Sequence, residues 1–190
     1  MAERPSWVLK VVLEVVLISV GVFLALLGDQ WRENAHDRQL ATDALRRFRT
    51  EIIANQKSVA AVKDYHVALL SELRGYLAAD PKTRSRETVR IRGLQPAFFE
   101  QTAWDLAIAT QSLSHLDSDL AYGLSRAYGL QRIYGQFTLN IMQAIYLQPL
   151  EANFDGMAAY FGDLVLWEPQ LLQMYDELLP RIDRALGEGS

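Results

Sequence analysis

Glu14, Gly21, Ala25 and Gly28 stand seven, four and three residues apart, and on a helix that spacing puts all four on one face. The chemistry open to such a face is association. Small side chains let a second helix approach closely, and a carboxylate in an apolar run faces protein or pairs with a cation. Lys10, one turn before Glu14, is one available partner. A neighbouring transmembrane helix is the other.

Bond-making chemistry has no comparable signal. The chain lacks GxSxG, a phosphate-binding glycine loop, HExxH and an EF-hand loop. It has no cysteine, which removes disulfides, thiol catalysis, cysteine-ligated zinc and iron–sulfur clusters. His36, His66 and His115 are too far apart for a ligand pair. Asp117 with Asp119, and Asp176 with Glu177, read as helix caps or solvated faces, and no di-iron carboxylate bundle is expected. The sequence therefore names no catalytic residue, no metal ligand and no cofactor-binding residue. The net charge of −4 is mild and implies no nucleic-acid partner.

The element that positions Glu14 and the glycines is an apolar run, VVLEVVLISVGVFLALLG, from Val11 to Gly28. Trp7 and Trp31 flank it. At about 1.5 Å per residue the two indoles lie roughly 36 Å apart. That separation matches a hydrocarbon core of ~30 Å with Trp at each interface. The run is apolar on every face, unlike a surface helix of a soluble domain. Ala25-Leu26-Leu27-Gly28 makes a poor signal-peptidase site, and Glu14 would interrupt a signal's apolar stretch. An uncleaved anchor over residues 7–31, after a tail of residues 1–6, is the expectation. Arg4 and Lys10 before the span outweigh Arg32 and Arg38 just after it only with the amino terminus counted; including Arg46, Arg47 and Arg49 favours the reverse. The expected orientation has a cytoplasmic amino terminus and an extracytoplasmic domain.

Residues 32–190 are enough for one domain with its own core. From Asp29 to Arg74 there is no Gly and no Pro. Ala41, Leu45, Phe48, Ile52, Val59, Val62, Leu69 and Leu73 recur at steps of three and four, with Asn55 and His66 in the missing places. Unbroken, this helix extends roughly 70 Å from the membrane. Ile53, Ala60, Val67, Leu70 and Leu77 widen the stripe, as in a bundle rather than a two-stranded seam. Asn55 and His66 read as register-fixing residues or satisfied groups at the edge of the core.

Residues 79–95 form a basic loop carrying Lys82, Arg84, Arg86, Arg90 and Arg92, either solvated or a dock for an acidic partner at the far end of the long helix. A second helical region is expected from Pro96, with Phe98, Phe99, Trp104, Leu106 and Leu113 as core bulk, and Asp117 capping the next helix. That third region, Ser118 to Gln148, contains Tyr122-Gly123, Tyr128-Gly129 and Tyr134-Gly135. Successive tyrosines there point some 120° apart, so close helix packing at the glycines is preferred over a ligand slot. Breaks are expected at Pro149 and at 153–156, then a short helix near 157–166, then a last helix from Glu168-Pro169, kinked or ended at Pro180. No segment alternates like a strand.

The stretch Glu14 to Leu26, followed by Trp31 and a charged helix, resembles an uncharacterised family of bacterial single-pass membrane proteins with an E-I-V-L-I-x-I-G-I-x-x-A-L anchor and a helical domain. Thr102-Ala103-Trp104, Leu113, Leu116-Asp117 and Tyr128 are similar to that group as well. The resemblance implies a bacterial inner-membrane protein and brings no activity.

The expected fold is all-α: one transmembrane helix continuing into a long helix that packs in an extramembrane bundle. The expected function is that of a non-enzymatic accessory subunit of a larger membrane complex, respiratory or photosynthetic, with lipid and other transmembrane helices as partners. A single-pass sensor whose bundle binds a ligand or a protein is the alternative.

Overall fold

The computed structural model describes residues 6–146 and 154–187, and every regular element among them is helical. Residues 1–5, 147–153 (with Pro149) and 188–190 lie outside the described residues; of the break expected at 153–156, residues 154–156 are instead the first turn of a helix. Helix α1 runs without interruption over Ser6–Ala78, 73 residues and about 110 Å. The absence of Gly and Pro from Asp29 to Arg74 is what permits this continuity.

The two halves of α1 bury different things. Its most apolar window has a mean hydropathy of 2.7, and none of that window is buried within the protein. This helix is long and apolar enough to cross a membrane. Burial begins at Ala44 and continues through Leu45, Phe48, Ile52, Val59, Leu69, Leu70 and Leu73, the expected stripe. Ala60 and Val67, expected to widen it, are exposed instead.

Helix α4, Phe154–Leu186, lies antiparallel on α1. Tyr76 meets Phe154, Gly162 sits near Arg74, His66 bonds Glu168, Gln56 bonds Asp176 and Arg49 bonds Asp183. Helix α3, Ser118–Tyr146, packs on the other flank of α4, also antiparallel, through Thr138–Tyr160, Gln131–Tyr175 and Asp117–Arg181. Asp117 caps α3 as expected, its Oδ1 accepting the Leu120 N–H at 3.0 Å.

The sequence reading divides α4 in two; the structure does not. The helix passes through Pro169 and Pro180. A proline inside a helix costs ~3 kcal/mol. Against that stands a stripe of buried residues, Met157, Tyr160, Phe161, Leu164, Leu171, Tyr175, Leu178 and Ile182, each large apolar one worth about 1.5–3 kcal/mol. Packing wins by a wide margin.

The second region also departs from expectation. Residues 89–101 are not helical, and helix α2 occupies only Thr102–Ala109. The reason is a set of side chains that bond this backbone in place of helical partners. Ser58 Oγ accepts the Phe98 N–H, Tyr134 accepts the Ala97 N–H, and Asn55 bonds both the N–H and the carbonyl of Glu100. Gln95, before Pro96, takes a positive φ of 45°. Phe98 is therefore 78 % exposed rather than in the core, whereas Phe99, Trp104 and Leu113 pack against it as expected.

Candidate functional site

Two sets of residues carry what chemistry this chain displays: the bare face of α1 and a polar seam inside the bundle. On the bare face, Glu14, Gly21, Ala25 and Gly28 are all exposed, and a Cβ added at Gly21 or Gly28 would meet nothing within 4 Å. Trp7 is 65 % exposed and Trp31 76 %, so both indoles are available to an interface. Unbroken helix joins them, so the four residues share one side as their spacing requires.

The polar seam was only half visible in the sequence. His66 is fully buried; its Nδ1 lies 2.6 Å from Glu168 Oε1. Its Nε2 lies 3.1 Å from the Leu94 carbonyl and 3.0 Å from that of Gln95. Carbonyls only accept, so Nε2 carries a hydrogen. A hydrogen bond between Nδ1 and Oε1 closes the other side of the ring. Tyr134 donates to the same Oε1 at 3.0 Å.

Glu51, also buried, does parallel work one end further down. Its Oε2 accepts the Ala103 N–H at 2.8 Å and its Oε1 accepts the Tyr128 hydroxyl at 2.7 Å. Helix α2 has no side-chain cap of its own, so this carboxylate from α1 serves as one. Trp104 stacks on Tyr128 at 5.2 Å, closing the seam. Burial pushes the Tyr128 hydroxyl above its ordinary range, with the bond and charge of Glu51 adding to the effect. Burial, then the charge of Glu168, raises Tyr134. Burial also raises Tyr160 and Tyr175, against opposing bonds to Thr138 and Gln131. Glu168 Oε2 and Gln131 Oε1 are buried acceptors without a hydrogen-bond partner.

Asn55 and His66 sit where the stripe of α1 meets the 89–101 segment, His66 also meeting α4 at Glu168, and Glu51 sits where the stripe meets α2 and α3. Each polar group there fastens a piece of chain distant in sequence. Asn55 and His66 are satisfied within the core, not at its edge. The missed signal was a carboxylate in phase with the apolar stripe: Glu168 follows Leu164 by four and precedes Leu171 by three.

The arginines of residues 79–95 are exposed and engaged with α1. Arg84 donates to the carbonyls of Leu77 and Ala79, closing the end of α1, and its guanidinium lies over Tyr76. Arg92 lies over Tyr65 at 4.9 Å. The Arg90 N–H is bonded by Glu72, while its side chain is 84 % exposed. Arg86 opens a short 3-10 turn. In the Tyr-Gly tandem, only Gly123 makes a close approach, a Cβ there falling 2.9 Å from Leu178 Cδ2; Gly129 and Gly135 face open space.

Among the described residues no group of three His, Asp or Glu side chains is placed to hold a metal. Glu33 and His36 do have the Glu-x-x-His spacing, once, both exposed on the lone stretch of α1. The chain matches no family model, no curated protein and no solved structure.

Proposed function

We propose that this chain is a non-enzymatic accessory subunit anchored in a bacterial inner membrane, where its anchor docks against another transmembrane helix and its bundle braces a larger complex. The observation that carries this reading is one unbroken helix joining the exposed Glu14–Gly21–Ala25–Gly28 face to the core of the bundle. A carboxylate at bilayer depth calls for protein or a counter-charge beside it, and the small residues leave room for a helix to come close. A bundle fixed to that helix is carried at a set distance from the bilayer. Arg84 lies at the end of α1, about 75 Å beyond Gly28 along the helix, with Arg90 beside Glu72 at about 66 Å and Arg92 beside Tyr65 at about 55 Å; with Arg86 they are suited to a second contact with an acidic surface of the same assembly. The amino terminus is cytoplasmic in this reading and the bundle extracytoplasmic; the anchor's resemblance to bacterial single-pass proteins supports the setting.

The absence of cysteine makes the test direct. A single Gly21→Cys variant, crosslinked in native membranes and purified, is expected to capture one transmembrane partner in fixed stoichiometry. Crosslinking at the same yield from Phe23→Cys, on the opposite side of the helix, would refute docking.

The alternative is a sensor. It is favoured by a cavity of about 340 Å³ between α3 and α4, lined by Tyr122, Gly123, Arg126, Met174, Leu178 and Arg181 among others. Purification of the protein alone, with a small molecule retained in that cavity, would select this reading.

A further inference from the structure

We infer that the foot of the bundle binds the headgroup of a primary-amine phospholipid such as phosphatidylethanolamine. The inference rests on the reading of α1 as a membrane span. A cavity of about 650 Å³ opens where α1 meets the 115–120 turn and the end of α4. Its polar lining is Asn34, Asp37, Arg38, Thr42, His115 and Asp117.

Its height above the bilayer is set by α1 itself, because the helix that crosses the membrane also forms the cavity wall. Asn34 is three residues past Trp31, about 4.5 Å along the axis, and Thr42 about 16 Å. The headgroup layer is roughly 5–7 Å deep on each side of the hydrocarbon. The lower mouth of the cavity therefore lies at headgroup level, and a lipid can reach it without leaving the bilayer.

The charges select among headgroups. Asp37 and Asp117 provide two carboxylates against the single guanidinium of Arg38. Asp37 is partly buried and lies 3.5 Å from His115 Nδ1. Asp117 holds the Leu120 N–H and lies 3.7 Å from Arg181. A matched set of two carboxylates and two guanidiniums, Arg38 in the lining and Arg181 on Asp117, gives a purely anionic headgroup no net attraction. It favours a zwitterion that sets its ammonium toward Asp37 and Asp117 and its phosphate toward Arg38. A primary ammonium offers three N–H donors and a choline none, so carboxylate recognition distinguishes the two.

The test uses the full chain in nanodiscs of phosphatidylethanolamine, phosphatidylcholine or phosphatidylglycerol, followed by native mass spectrometry. Wild type is expected to retain one phosphatidylethanolamine at least tenfold more often than either other lipid. Asp37→Asn with Asp117→Asn is expected to abolish that preference with unchanged circular dichroism, since asparagine keeps the cap at 117. Equal retention of all three lipids, a preference for phosphatidylglycerol, or an unaffected double variant would overturn the inference. Displacement of the lipid by soluble glycerophosphoethanolamine at equal concentration would overturn the commitment to a bilayer ligand. Alkaline carbonate extraction separates the two levels: a chain released from membranes removes the span and this inference together, whereas an integral chain without the preference removes the inference alone.

Discussion

The Nδ1 atom of His66 lies 2.6 Å from Oε1 of Glu168, and neither side chain exposes any surface. The contact joins α1, about three turns before its end, to the middle of α4 and, through Nε2, holds the carbonyls of Leu94 and Gln95. Removing one partner leaves the other buried and unmatched, at a cost of about 3–5 kcal/mol. His66→Leu in the detergent-solubilised chain is expected to lower the melting midpoint by roughly 6–20 °C, at about 2–4 °C per kcal/mol for a domain of this size. The double variant with Glu168→Leu is expected to lose less than the two single losses combined. Thermal melts followed by circular dichroism test this; additive losses would contradict coupling.

Glu51 predicts a local effect. Glu51→Ala removes the acceptor of the Ala103 N–H and the Tyr128 hydroxyl, leaving buried donors at about 1–3 kcal/mol each. Amide hydrogen exchange in 102–109 is expected to accelerate well before exchange in α3 or α4. Glu51→Gln retains an acceptor and is expected to be milder. Exchange in 102–109 left unchanged by Glu51→Ala would show that the carboxylate is not what anchors α2.

Alkali should unfold this bundle early. Four buried tyrosines, Tyr128, Tyr134, Tyr160 and Tyr175, have hydroxyls raised above the ordinary 10.0. In the unfolded chain they ionise near 10, while in the fold they keep their protons. The folded state then holds more protons, so stability is full below about pH 10 and falls above it. Each tyrosine contributes a loss of about 1.4 kcal/mol per pH unit in that window. Melting midpoints measured between neutral pH and about 11, with tyrosinate absorbance recorded alongside, should show unfolding and ionisation together. Ionisation of all tyrosines before any loss of helix would contradict it.

Two glycines of α3 predict opposite signs. Gly123→Ala places a Cβ 2.9 Å from Leu178 Cδ2 and is expected to be neutral to mildly destabilising, with Gly123→Val losing about 1–3 kcal/mol. Gly135→Ala meets nothing within 4 Å and is expected to gain about 0.5–1 kcal/mol from helix propensity. Melting midpoints of the three variants decide the matter.

Much of this architecture is written locally. The apolar span of α1, its continuity, the start of α3 and the Asp117 cap all follow from spacing within one segment. The failures share a cause. Residues 89–101 look like a helix start at Pro96, but their backbone partners are Asn55, Ser58 and Tyr134, some forty residues away. Pro169 looks like a helix start and Pro180 like a kink or stop, yet the stripe packed on α1 and α3 carries one helix through both. Glu51 and Glu168 look like surface charges until the fold encloses them, because burial is a property of neighbours that a single segment does not name.

Since α1 has no joint between Trp31 and Ala44, the compass bearing of the bundle and that of the Glu14 face are a single quantity. One residue inserted near Glu33 would swing the whole bundle by about 100° around the anchor, and four would return it to within about 40° of its starting bearing. Whatever fixes the apolar half of α1 also aims the bundle, like a signpost whose arm is turned by twisting its pole.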